Sequence, residues 1–181
     1  MFPRTPPGSV SGDSGTVAER SPRGQWEHRE LVVWGAHGGA GTSTLAAWLQ
    51  PAWDIGAMRA EPYPQYPAIV SSGRALVVTC RSTARAAAQA TSAVAAVTSQ
   101  GGQVAVIAVV SDGWPEPATA TSRLRLLETQ AGLVIRIPFI PGLRLADDPA
   151  SVPLPRRALR AVAQIQAACG RALPISRPQE A

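Results

Sequence analysis

The chain contains no lysine: all 17 of its basic residues are arginine. No segment can therefore supply the compact ammonium group that many phosphate sites use, and arginine replaces its charge but not its point-like contact. Cysteine is almost as scarce. Cys80 and Cys169 stand alone, without CxxC or metal-ligand spacing, which fits reduced thiols in a cytoplasmic protein better than a disulfide framework or a zinc site. No run approaches ~18 uninterrupted apolar residues and the N-terminus has no apolar signal core, so neither a membrane span nor export is expected. Acids number only 12, which leaves a net charge of +5 and a pI near 10.5. That balance permits contact with a polyanion, yet the arginines are scattered and form no basic tail.

What remains is a chain of 181 residues with 45% hydrophobic content, enough for one domain with its own core. Residues 1–28 are rich in Pro, Gly and Ser without apolar periodicity and read as a disordered leader. Residues 29–173 read as the domain and 174–181 as a flexible tail. Continuous apolar runs at "LVVW", "ALVVTC" (75–80), "QVAVIAVVSD" (103–112) and "LVIRIPF" (133–139) suit buried parallel strands. Between them lie helical stretches at 82–100, 118–130 and 154–173. This alternation predicts an α/β fold, a three-layer α/β/α sandwich on a mostly parallel sheet. Pro51–Arg74, broken by four prolines, is not expected to hold a regular strand-helix-strand unit.

The chemistry-bearing stretch is "LVVWGAHGGAGTSTLAAWL", Leu31–Leu49. An apolar strand runs into Gly38, Gly39 and Gly41, and Thr42 or Ser43 is expected to cap a helix with Leu45, Trp48 and Leu49 on one face. Glycines that curl the backbone turn several N–H groups inward, and a helix N-terminus adds positive potential, so Ala36, His37, Gly38, Gly39, Ala40, Gly41, Thr42, Ser43 and Thr44 form a candidate anion site. The pattern GxxxxGK[ST] is met at Gly41 and Ser43. It is missed at Ala36, where the first glycine would stand, and at Thr42, where the lysine would.

The loop "GAHGGAGTSTLAAWL" resembles the deviant phosphate loop of the ParA/MinD class of P-loop ATPases. "ALVVTCRSTARAAAQATSAVAAV" and "VIRIPFIPGLRLADD" are similar to a later strand-helix pair and to the late Ile-Pro segment of that class. Over nearly all of residues 30–170 the chain is also similar to a family of uncharacterised actinobacterial proteins with an HGGAG loop, a CRST-like strand end and an Asp-Gly-x-Pro-x-Pro turn. The resemblance implies a P-loop NTPase-like domain, reduced in size, that binds ATP or ADP. It places the loop on the phosphates, Asp112 and Pro138 on the base side, and Ser43 as the one candidate Mg²⁺ ligand. His37 and Thr42 stand where that class has its lysines.

Departures from the pattern weigh against fast hydrolysis. Both lysines are replaced, and the interval 51–74 offers only Asp54 and Glu61 for the metal-holding and switch carboxylates. Phosphoryl transfer rests on positioning and charge neutralisation, each donor being worth on the order of 10²–10³ in rate. Three readings follow: a regulatory or scaffolding pseudo-ATPase, a slow ATPase with arginine in place of lysine, and a nucleotide-free protein-interaction module acting through 61–67 with Tyr63 and Tyr66. Other residues have ordinary alternatives: Asp112 as a turn initiator, Arg136 and Arg144 as solvated cations, and Arg156, Arg157 and Arg160 as a solvated face or a DNA contact. A homodimer or a protein partner is compatible with each reading.

Overall fold

Among the described residues five strands, β1 (Leu31–Gly35), β2 (Ala52–Ala57), β3 (Ala75–Arg81), β4 (Val104–Val110) and β5 (Val134–Ile137), form one all-parallel sheet in the order β2-β1-β3-β4-β5. The computed structural model describes residues 30–58 and 73–172. The leader, the tail and the segment with Glu61, Tyr63 and Tyr66 lie outside the described residues.

A parallel sheet must be covered on both sides, because its crossovers lay helices over both faces. Here α1 (Thr42–Trp48) and α4 (Arg156–Ala172) share a core with one face, while α2 (Ala84–Ser99) and α3 (Ala118–Leu127) share a core with the other. The expected three-layer α/β sandwich is the observed architecture. β3 and β4 carry the buried centre: Val77, Val78, Val106 and Ile107 are fully enclosed. Each such side chain contributes about 1.5–3 kcal/mol on burial. α2 buries Ala86, Ala87, Ala90 and Ala93, small residues that let it lie close to the sheet, and Thr83 caps it by accepting the Ala86 N–H at 3.2 Å.

β2 adds a strand to the four that the apolar runs mark, inside the stretch Pro51–Arg74, which is not expected to hold a regular strand-helix-strand unit. It pairs with β1 from Leu31↔Ala52 to Gly35↔Ala57 at the edge of the sheet. Pro51 does not interfere, since it precedes the first residue of the strand and an edge strand needs only one side of its backbone paired.

Strand order reverses between β1 and β3, since β2 lies on one side of β1 and β3 on the other. In open parallel sheets, crevices beyond the carboxyl ends of the strands at such a point receive ligands. The glycine loop leaves β1 there.

Candidate functional site

The loop is laced to the end of β3. The Ala36 N–H donates to the Thr79 carbonyl at 2.8 Å, extending the β1–β3 ladder by one residue. Next, the backbone N–H of Arg81 donates to His37 Nε2 at 3.2 Å, and His37 Nδ1 lies 2.8 Å from the Gly38 carbonyl. A backbone N–H only donates, so Nε2 is the acceptor and the ring proton sits on Nδ1. Arg81 also reaches back with its side chain, Nε donating to the Gly39 carbonyl at 3.0 Å. His37 is thereby part of the loop's own scaffold.

The loop turns into α1 through Gly41, whose φ of 92° is a left-handed conformation that glycine adopts without strain. This overturns the expected cap: Gly41 is the N-cap residue, and neither Thr42 nor Ser43 caps the helix. Thr42 instead turns into the protein, its hydroxyl 3.2 Å from that of Thr79, and it is buried. Space for it exists because β1 ends in glycine: a Cβ on Gly35 would stand 2.5 Å from Thr42 Oγ1. Ala36 and Ala40 are buried as well, whereas Gly38, Gly39 and Ser43 are exposed and Thr44 is half-buried. Among the described residues, the N–H groups of Gly38, Gly39, Gly41, Thr42, Ser43 and Thr44 have no protein acceptor.

Beside the loop, a cavity of about 320 Å³ opens over the carboxyl ends of β3, β4 and β5. It brings Gly41 and Thr44 together with Asp112 and Pro138, the residues that the family resemblance implied for opposite ends of one ligand. Trp48 and Phe139 contribute aromatic wall, and Arg81 and Arg144 contribute charge. Trp48 is held by its indole N–H, which donates to the Pro149 carbonyl at 3.2 Å. Arg144 lies 4.9 Å over the Phe139 ring in a cation–π contact. Asp112 spends Oδ1 on the Trp114 N–H at 3.0 Å, with the Ser82 hydroxyl at 3.5 Å.

Other acids and cations lie elsewhere. Arg136 makes a two-pronged pair with Glu116, both contacts 2.9 Å, and the Thr121 hydroxyl donates to the same carboxylate at 2.8 Å. Arg136 and Thr121 hold the Glu116 carboxyl below its ordinary range, against a smaller opposing effect of burial. Asp54 sits within β2, its Oδ1 accepting the Gly56 N–H at 2.8 Å, away from the strand end where a metal carboxylate would be needed. Arg156, Arg157 and Arg160 are exposed on α4. Both cysteines are free and buried, and burial pushes each thiol up to about 12.

Arg81, Trp48 and Phe139 were not singled out from sequence. Arg81 had a signal, as the polar residue that follows "ALVVTC" at a strand's carboxyl end. Trp48 and Phe139 had none, because an apolar residue at helix or strand spacing reads as core. No protein-family model matches the chain, and no curated protein matches it either. Among the described residues no helix is long and apolar enough to cross a membrane.

Proposed function

We propose that the cavity beside the glycine loop binds a phosphate-bearing ligand with a flat ring system, a nucleotide such as ATP or ADP, without turning it over efficiently. The protein would then act as a ParA/MinD-like regulatory or scaffolding pseudo-ATPase. The observation that carries this reading is the convergence of Gly41, Thr44, Asp112 and Pro138 on one cavity with aromatic and cationic walls. Apolar lining with a few placed polar groups is the usual make-up of a small-ligand site, and 320 Å³ lies at the lower end of its size range. Among the described residues, the uncommitted N–H groups of Gly38, Gly39, Gly41, Thr42, Ser43 and Thr44 suit the anionic end.

Mg²⁺ fits these residues poorly. Ser43 is exposed with no carboxylate beside it in any contact, Asp54 is committed to its own strand, and no group of three His, Cys, Asp or Glu among the described residues could hold a metal. Thr42, where a lysine would reach the phosphates, points into the sheet. Binding would instead favour the folded form and any assembly built on it.

A thermal-shift titration with ATP, ADP and GTP, with and without Mg²⁺, tests this. Saturation at about 100 times Kd stabilises by about 2.7 kcal/mol, which is roughly 5–10 °C for a domain of this size. ADP and ATP should shift wild type in this way without needing Mg²⁺, and Gly41→Val should abolish the shift. No shift at millimolar nucleotide would remove the reading.

A further inference from the structure

We infer that Arg81, arriving from the end of β3, supplies the fixed positive charge that the glycine loop does not itself carry, and that His37 is its positioning residue. The inference rests on the anion-binding reading above and names the group that would hold the anion. Three contacts place Arg81. Its backbone N–H is taken by His37 Nε2 at 3.2 Å, its Nε donates to the Gly39 carbonyl at 3.0 Å, and the residue lines the cavity.

The guanidinium is anchored and unneutralised at once. Among the described residues the ion pairs are Arg74–Glu30 and Arg136–Glu116, so no carboxylate meets Arg81. Nη1 and Nη2 have no protein acceptor among the described residues either. Nε fixed on the loop leaves those two nitrogens as the open edge of the fork. A planar fork with two free donors matches a pair of oxygens on one phosphorus or carbon, and it loses little conformational freedom on binding because one donor is already fixed. The ligand class is therefore an anion with two oxygens on a common centre, the end of a di- or triphosphate or a carboxylate.

His37 ties the loop to the backbone of Arg81, which β3 itself holds in register with Val110 of β4. Its ring spans from Gly38 to β3 only in the Nδ1–H form, because Nε2 must be bare to accept. Removing the ring would free the loop, and with it the Gly39 carbonyl that holds Arg81 Nε.

Isothermal titration calorimetry on the full chain with inorganic pyrophosphate, ADP and citrate measures the consequence. Wild type should bind at least one of them, and Arg81→Lys should weaken that binding about tenfold or more, nearly as much as Arg81→Gln, since lysine cannot hold Gly39 and offer a fork together. Arg144→Gln should have a smaller effect. Long-range ¹⁵N NMR of the free protein should show His37 as the Nδ1–H tautomer and a protected Arg81 Nε–H, with that protection lost in His37→Ala. Binding by wild type that survives Arg81→Lys and Arg81→Gln unchanged would overturn the role of Arg81 while leaving the cavity as the site. An Nε2–H tautomer at His37 would overturn the positioning role. No binding of any of the three by wild type would remove both the inference and the reading beneath it.

Discussion

The hydroxyls of Thr42 and Thr79 meet at 3.2 Å inside the protein, 37 residues apart in sequence. The first residue of α1 is thereby fastened near the carboxyl end of β3, and the position where the pattern GxxxxGK[ST] has its lysine is directed away from the cavity. Thr42→Lys should therefore not create an ATPase. It would push a long cation into a buried slot beside Gly35 and Val-rich strands, costing about 2 kcal/mol or more. Urea unfolding and phosphate release measure the two halves of this prediction. A stable variant with rapid hydrolysis would contradict it.

Gly35 and Thr42 should be coupled. Gly35→Ala places a methyl group 2.5 Å from Thr42 Oγ1, an overpacking expected to cost about 1–3 kcal/mol. In a Thr42→Ala background that clash is gone, so the same substitution should cost less, with an interaction energy on the order of 1 kcal/mol in a double-mutant cycle. Strict additivity would show that the crowding lies elsewhere.

The Glu116–Arg136 pair should contribute to stability in a pH-dependent way. Its carboxyl is lowered from the ordinary value of 4.5 by Arg136 and Thr121, so the folded form binds its proton less readily than the unfolded chain. The stabilisation is then fully present above 4.5 and is lost as pH falls through the lowered folded value. Because Arg136 is 47% exposed, the pair is worth only about 0.5–1 kcal/mol. Glu116→Gln should destabilise by that amount near neutrality and by almost nothing in strong acid, read from urea midpoints.

Neither thiol should react in the folded protein. Cys80 and Cys169 are free and fully enclosed, with both thiols pushed up to about 12, so almost no thiolate exists at about pH 8. A disulfide reagent should titrate no cysteine in native protein and both after denaturation. Rapid native reaction at either would mean that β3 or α4 opens readily.

Phe139 should bear on ligand affinity more than on folding. It lines the cavity, packs against the backbone at Gly113 and carries Arg144 over its ring. Phe139→Ala removes one aromatic wall and the support of one cation, and nucleotide affinity should fall roughly tenfold, as stacking of about 1–3 kcal/mol implies. Calorimetry with ADP checks this.

Much of this was legible in the chain. "ALVVTC" and "QVAVIAVV" are continuous β-branched and apolar because β3 and β4 are buried on both faces, and such strands declare themselves. β2 did not, since "AWDIGA" is an edge strand with exposed Trp53, Asp54 and Gly56, and half of its apolar signal is missing. The glycines of the loop were visible, while Asp112 and Pro138 were named only through the family resemblance and line the same cavity as Gly41 and Thr44. Arg81 was hidden because its meaning depends on the loop folding back across β3 to meet it.

Composition and local pattern by themselves determined the layered α/β class, the glycine turn after β1 and the lack of any lysine to serve it, since each is a property of residue type and spacing along the chain. Only the tertiary structure decided that Thr42 faces inward, that His37 accepts from β3, and that Arg81 stands beside the loop. Those directions are set by hydrogen bonds that the loop and α1 make to β3, 37 to 44 residues further along the chain, and no local periodicity encodes them.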